Sequence, residues 1–158
     1  MRSALIYFFT ETSTDMDTND TYLSEELYTQ FLEEMPLVCV KLVLETDDGL
    51  SLEKRTGEPT VWFWPGGRLY KGESLPDAAH RIAAEELGIE IELVEQLGVQ
   101  SHFWEPNETD EGVSRHTVNI IYHAEPKTTE FEIEFDKQHS EYRYITESDA
   151  ALHEYVRR

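Results

Sequence analysis

The sequence predicts an α/β protein in which a mixed β-sheet is flanked by helices, and three observations lead to this prediction. An uninterrupted aliphatic run, Leu37 to Leu44, is typical of a buried strand. Apolar residues recur every three or four positions between residues 74 and 87, as in an amphipathic helix. Several short segments after that helix predict further strands. With 158 residues, the chain can form one domain with a sizeable core and is hardly long enough for two.

The N-terminal segment differs in composition from the rest of the chain. A polar and acidic run with little to bury fills residues 10–21. We therefore expect residues 1–21 to form a disordered acidic extension and residues 22–158 to form a single domain. Met16 is an alternative start of the natural chain.

Local signals define the other elements. Ser24, followed by two glutamates, predicts a helix that Pro36 ends. The central helix begins at Ser74, carries a proline in its first turn and ends at Gly88. The remaining predicted elements are strands at Leu37–Leu44, Leu50–Arg55, Val61–Trp64, about 89–104, 115–124, Phe131–Phe135 (an edge strand) and Tyr142–Ile145, and a closing helix from Thr146.

The charge balance is strongly acidic, with 33 acidic against 13 basic residues and a formal net charge of −20. Such a field repels nucleic acids and anionic membranes, so we expect the protein to bind neither. An acidic surface on a chain with an ordinary apolar share is typical of a halophilic protein, in which salt screens self-repulsion. An acidic protein without such adaptation is the alternative.

The single cysteine and the absence of a long apolar run limit the class of protein. Cys39 cannot form an internal disulfide, and its apolar neighbours predict a small buried side chain. No apolar run is long enough to span a bilayer, and the N-terminus lacks the features of a signal peptide. We therefore expect a cytoplasmic protein.

A motif with a defined spacing surrounds the central helix. It consists of Gly67, Glu73 and the run Arg81 to Gly88, which reads Arg-Ile-Ala-Ala-Glu-Glu-Leu-Gly. This register resembles the Nudix box, whose family hydrolyses nucleoside diphosphates linked to another group with a divalent cation. The resemblance implies a Nudix-type α/β/α sandwich with a mixed sheet. It also implies that Glu73 and Arg81 form a structural ion pair.

Two glutamates at the end of the helix are the candidate metal ligands of this motif. Glu86 lies one turn beyond Ile82 and Glu85 one turn beyond Arg81, so the two carboxylates point to adjacent faces. We therefore expect only one of them to bind Mg²⁺ strongly, since this cation prefers oxygen ligands and keeps several waters. An isolated pair of glutamates is usually a solvated face, but here the register of the whole motif favours a metal site.

One position departs from the usual box, because Ile82 stands where most members have a glutamate. The GDP-mannose mannosyl hydrolase branch shows the same loss and cleaves the anomeric C–O bond of the sugar. The chain is similar to this branch over about residues 34–146. The most specific segment, residues 136–144, reads Asp-Lys-Gln-His-Ser-Glu-Tyr-Arg-Tyr and resembles the branch's Asp-x-Gln-His-x-x-Tyr-Arg-Trp.

The resemblance implies a role for each matching residue. Glu86, Gln138 and the carbonyl of Gly66 would hold Mg²⁺, or Mn²⁺ in its place. His139 would be the general base, because histidine ordinarily titrates near neutral pH. The two remaining assignments are arginines: Arg68 would stabilise charge on the departing diphosphate and Arg55 would contact phosphate. The branch also implies a homodimer.

Three positions differ from the branch and leave alternatives open. Glu85 is a carboxylate where the branch has a small residue, so a second metal or a pyrophosphatase that attacks phosphorus through Glu85 and Glu86 is a rival. Lys41 replaces an aspartate and Thr117 a tyrosine, which leaves the base and the sugar undecided. The degenerate position Ile82 also allows a non-catalytic domain that senses a nucleotide sugar.

Overall fold

The computed structural model describes residues 17–18, 22–55, 62–133, 139–147, 152 and 154–157. The helices are α1 (Glu25–Glu34), α2 (Leu75–Ile82) with a π-helical continuation (Ala83–Leu87), a 3₁₀ turn (Pro106–Glu108) and α3 (Glu154–Arg157). The strands are β1 (Leu37–Thr46), β2 (Gly49–Arg55), β3 (Trp62–Phe63), β4 (Gly66–Arg68), β5 (Ile91–Trp104), β6 (Arg115–Pro126) and β7 (His139–Ile145).

These seven strands form one mixed sheet, which confirms the predicted α/β class. The strand order is β3-β2-β1-β6-β5, with β4 paired to β1 and β7 paired to β2. The central strands β1 and β6 are parallel, whereas the other pairings between these seven strands are antiparallel. One edge of β1 pairs with β6. The opposite edge pairs with β2 near the C-terminal end of β1 and with β4 nearer its N-terminal end.

The core lies between the sheet and α2. Alternate residues of β1, namely Val40, Leu42 and Leu44, have no exposed surface and form a cluster with the buried face of the helix. Ala78 and Ala79 on that face are also fully buried, and their small side chains let the helix approach the sheet closely. This packing sets the position of everything that follows α2, including the two candidate glutamates.

The predicted first helix is present with its expected ends. The Ser24 side chain accepts a hydrogen bond from the amide of Leu27 at 3.3 Å, as an N-cap residue does. The helix ends at Glu34, before Pro36, whose ring cannot continue it. Among the described helices, none is long and apolar enough to cross a membrane.

Some predicted elements differ from the structure. The edge strand at Phe131–Phe135 is wrong for the described residues 131–133, which belong to no strand. Phe131 and Ile133 are partly buried and pack against the core, so the alternation reflects burial without strand pairing. The strand predicted at Tyr142–Ile145 begins earlier, at His139, and β4 was not predicted.

The terminal predictions fall largely outside the described part of the chain. Only Asp17 and Thr18 of the proposed extension are described, so the division at residue 21 stays a prediction. The predicted start of the closing helix is wrong, because Thr146 and Glu147 form a bend and Leu152 forms an isolated β-bridge with Trp62. Among the described residues of that segment, the helical ones are Glu154–Arg157.

Candidate active site

The centre of the site is the contact between β4 and the end of the central helix. The amide of Gly66 donates a hydrogen bond to Oε2 of Glu86 at 2.9 Å, and Glu86 as a whole residue is only 8 % exposed. Gly66 pairs with Lys41 of β1. A β-carbon at Gly66 would lie 2.3 Å from Cδ of Lys41 and 2.5 Å from the carbonyl oxygen of Val40, so only glycine fits there.

The two glutamates lie in the π-helical segment, and their environments differ. Glu86 is buried, whereas the side chain of Glu85 is 55 % exposed and binds Nη1 of Arg81 at 3.0 Å. A π-helical turn within a helix is frequent at functional sites, where it changes the direction of nearby side chains. Gly88 ends the segment with φ +67°, a left-handed conformation that favours glycine.

Ile82 is part of the core and does not contribute a polar group to the site. The side chain is 1 % exposed and belongs to the cluster between α2 and the sheet. A β-carbon at Gly67 would contact Cγ1 of Ile82 at 3.6 Å and Oε1 of Glu86 at 3.8 Å. Ile82 therefore packs beneath β4, although most members of the resembled family have a glutamate at this position. Of the two glutamates at the end of the helix, Glu86 is the buried one.

Glu73 and Arg81 form a bidentate ion pair beside β4. Nε of Arg81 lies 2.6 Å from Oε1 of Glu73, and Nη2 lies 3.0 Å from Oε2. Nη2 also donates to the carbonyl of Arg68 at 2.8 Å, so the pair connects the helix to the end of β4. Burial alone lowers the pKa of Arg81, but the hydrogen bond and charge of Glu73 outweigh it and raise that pKa.

Two cationic side chains adjoin β4 in a chain that is otherwise acidic. Arg68 pairs with Cys39 across the strands, and its guanidinium lies 5.0 Å from the ring centroid of Tyr70. Nζ of Lys41 lies 4.9 Å from the ring centroid of Phe63. Burial raises the pKa of the Cys39 thiol despite these positive neighbours, so the thiol is protonated at neutral pH. This end of the sheet can therefore attract an anionic group.

Strand pairing places two further candidate residues next to each other. Arg55, at the end of β2, is the backbone partner of His139, at the start of β7, and the register shifts just before this pair. A β-bulge of this kind redirects side chains and is frequent near active sites. Gln138 lies outside the described residues, so its predicted role as a metal ligand stays a prediction.

Thr117 is buried within the sheet. Its hydroxyl oxygen accepts a hydrogen bond from Nδ2 of Asn119 at 3.0 Å, and both residues lie on β6. A second apolar cluster is formed by the buried residues Leu52, Phe63, Leu152 and Val156. Trp62, Trp64 and Trp104 are partly buried against it, which assigns them a packing role.

A second group of potential metal ligands lies elsewhere on the sheet and was missed by the sequence analysis. Ligand atoms of Glu45, His123 and Glu125 lie within 4.8 Å of one another, and Nε2 of His123 is 2.7 Å from Oε2 of Glu45. Alternation along β1 and β6 points these side chains away from the face on which Leu44 and Ala124 pack under α2. No local pattern could have found the group, since parallel pairing of distant strands assembles it.

Comparison with known proteins agrees with this geometry. The family model described as "NUDIX domain" matches residues 35–158. The chain is 32 % identical over 144 residues to the low-salt glycan biosynthesis protein Agl8 of Haloferax volcanii, covering 90 % of this chain and 91 % of the relative.

Solved structures show the same fold. A MutT NUDIX hydrolase from Burkholderia pseudomallei has a TM-score of 0.64 and 25 % identity, covering 78 % of this chain and 95 % of the other. The MutT protein of Methanosarcina mazei has a TM-score of 0.60 and 21 % identity, with 78 % and 90 % covered. Because the family domain spans most of the chain and its box surrounds the contact between Gly66 and Glu86, the chain belongs to the Nudix hydrolase family.

Proposed function

We propose that the protein hydrolyses a nucleotide sugar of the GDP-mannose or GDP-glucose type to a nucleoside diphosphate and the free sugar, by cleavage of the glycosyl C–O bond. The observation that carries this proposal is that the three box residues Ile82, Glu85 and Glu86 have different environments. Glu86 is buried against Gly66, Ile82 is in the core, and Glu85 is exposed and paired with Arg81. One strong carboxylate ligand suits a single metal that binds the diphosphate, more than a multi-metal centre that activates water at phosphorus.

The donor set fits a hard divalent cation. The carboxylate of Glu86 is nearly buried, and a buried charge is stable only when positive charge or hydrogen bonds compensate it. In the proposal, Glu86, the carbonyl of Gly66 and Gln138 hold Mg²⁺ or Mn²⁺, all through oxygen atoms. The bound cation would neutralise charge on the diphosphate. Glu85 is the candidate for a weaker, additional ligand.

The remaining residues have separate roles in the reaction. His139 accepts a proton from the attacking water as its oxygen forms a bond to the anomeric carbon. The bond between that carbon and the diphosphate oxygen breaks, and its electron pair leaves with the diphosphate. Arg68 stabilises this developing charge and Arg55 contacts a phosphate oxygen. Water attacks carbon from the face opposite the leaving group, so the sugar product has inverted configuration.

Two further observations support a nucleotide-sugar substrate. Arg55 and His139 are backbone partners, so the residues to which the proposal assigns phosphate contact and proton transfer are neighbours in the sheet. The name of the Haloferax volcanii relative assigns that protein to glycan biosynthesis, a process supplied by nucleotide sugars. The homodimer and the identity of the base and the sugar stay predictions.

Isotope labelling separates the candidate reactions. The protein is incubated with GDP-mannose and Mg²⁺ in ¹⁸O-labelled water at high salt, and the products are analysed by mass spectrometry. The proposal expects the label in the free sugar and an inverted anomer by NMR. Label in a nucleotide or sugar phosphate would mean attack at phosphorus and would refute C–O cleavage. Absence of turnover with this and other nucleotide sugars would favour a sensor.

Substitution of the proposed base tests the mechanism independently. His139→Gln retains a polar side chain of similar reach but cannot take a proton at neutral pH, so kcat should fall at least about 100-fold. A matched control is His123→Gln, because His123 lies on the other group of ligands and should leave kcat unchanged. An equal effect of both substitutions would contradict the assignment of His139.

A further inference from the structure

We infer that Tyr70 is a positioning residue, whose ring holds the guanidinium of Arg68 in place for the leaving diphosphate. This inference rests on the proposed function, since it assigns Tyr70 to the residue that stabilises the leaving group there. The starting observation is that two guanidinium groups lie over one ring. The Cζ atom of Arg68 is 5.0 Å from the Tyr70 ring centroid, and the Cζ atom of Arg81 is 3.9 Å from it.

The Tyr70 ring is itself held firmly. Its backbone amide donates to Oε2 of Glu73 at 3.1 Å, and the same oxygen binds Nη2 of Arg81 at 3.0 Å. Arg81 is fixed by this pair and by the Arg68 carbonyl, so its guanidinium forms a stable support against the ring. Tyr70 is therefore anchored through its backbone and through its side chain.

Arg68 needs such a support because its own side chain is long and flexible. An arginine loses considerable rotamer freedom when it is ordered, and stacking on an aromatic face removes part of that freedom before the substrate arrives. The ring also attracts a guanidinium electrostatically at this distance. Two arginines that approach each other repel, and the ring together with Glu73 offsets this repulsion.

The hydroxyl of Tyr70 is not required for this role. Burial raises the pKa of Tyr70 even though Arg81 acts to lower it, so the phenol is neutral at neutral pH. Removal of the hydroxyl should therefore matter less than removal of the ring. This difference distinguishes a platform for Arg68 from a catalytic acid.

A double-mutant cycle tests the inference. Tyr70→Leu and Arg68→Ala are made singly and together, and kcat and KM for GDP-mannose are measured with Mg²⁺. Tyr70→Leu should lower kcat about two- to five-fold, the range set by a cation–π contact at a partly exposed site. It should have no further effect in the Arg68→Ala background, and Tyr70→Phe should restore most of the lost rate. Dissociation constants for GDP give the same cycle without turnover.

The outcomes separate this inference from the proposed function. If Tyr70→Leu costs the same with and without Arg68, the positioning role is overturned while the role of Arg68 stands. If Arg68→Ala alone leaves both kcat and GDP affinity unchanged, the assignment of Arg68 fails and the positioning role fails with it.

A measurement of motion covers the case in which Tyr70→Leu does not fold. ¹⁵N relaxation of arginine Nε–Hε groups in the wild-type protein should show an ordered Arg68 side chain, because its guanidinium contacts the ring. Arg68 should become mobile in Tyr70→Leu. If thermal denaturation shows no folding transition for that variant, Tyr70→Met is used in its place. A mobile Arg68 in the wild-type protein overturns the inference whatever the variants do.

Discussion

Removal of the Arg81 guanidinium should destabilise the protein through the loss of one partly buried ion pair. Glu73 and Arg81 have side chains that are 5 % and 18 % exposed and share two hydrogen bonds of 2.6 and 3.0 Å. Arg81→Met removes both of these, together with the hydrogen bonds to the Arg68 carbonyl and to Glu85, and leaves the Glu73 carboxylate with the Tyr70 amide but without its cationic partner. Breaking a buried pair in this way costs ~3–5 kcal/mol, and the partial exposure places the expected loss near the lower end.

The matched control uses the same arginine and its exposed partner. Glu85 is 55 % exposed and lies one helical turn from Arg81, so Glu85→Gln should cost only ~0.3–0.5 kcal/mol. Free energies of unfolding are measured by urea denaturation at a fixed high salt concentration. A loss of ~3 kcal/mol corresponds to a fall in Tm of about 6–12 °C for a chain of this size.

The double variant Glu73→Gln with Arg81→Met gives the coupling directly. Its loss should be smaller than the sum of the two single losses by at least ~1 kcal/mol, because both substitutions remove the same interaction. Equal destabilisation by Arg81→Met and Glu85→Gln would refute the view that the Glu73–Arg81 pair stabilises the connection between β4 and α2. Strict additivity in the double variant would refute it as well.

Three other predictions follow from the site and the composition. Glu86→Gln keeps an acceptor for the Gly66 amide but loses the charge, so kcat/KM should fall at least about 100-fold. Glu85→Gln should lower kcat/KM less than about tenfold, and similar losses for the two variants would contradict their unequal roles. Gly88→Ala places a β-carbon at φ +67° and should reduce the free energy of unfolding, measured in urea, by ~1–2 kcal/mol. An unchanged free energy of unfolding would contradict the left-handed conformation at this position. With a net charge of −20, Tm should rise by about 5 °C or more between 0.1 and 2 M KCl, and a flat response in calorimetry would argue against halophilic adaptation.

Elements with local signals were predicted well, because the interactions that define them lie within a few residues. Ser74 caps α2 by accepting from the Asp77 amide at 3.2 Å, and Gly88 ends the π-helical segment in a left-handed conformation. Both signals can be read directly from the residue type and its neighbours. The spacing of Glu73 and Arg81 likewise belongs to a motif that is continuous in the chain.

Elements that depend on distant partners were missed or misassigned. Strand β4 contains two glycines and has no apolar alternation, so it is defined only by its pairing with β1. The alternating Phe131 and Ile133 resemble a strand, yet they contact the core without a strand partner. Periodicity reports which side chains are buried, and it does not report what covers them.

By itself, the sequence determined the α/β class, the position of the Nudix box and the residue types available for a metal and a base. Only the tertiary structure decided that Glu86 is buried while Glu85 is exposed, that Ile82 packs in the core, and that Arg68 shares the Tyr70 ring with Arg81. The physical reason is that capping and spacing act within a few residues. Burial and the contacts between side chains, in contrast, depend on how β1 pairs with β4 and how α2 packs on the sheet.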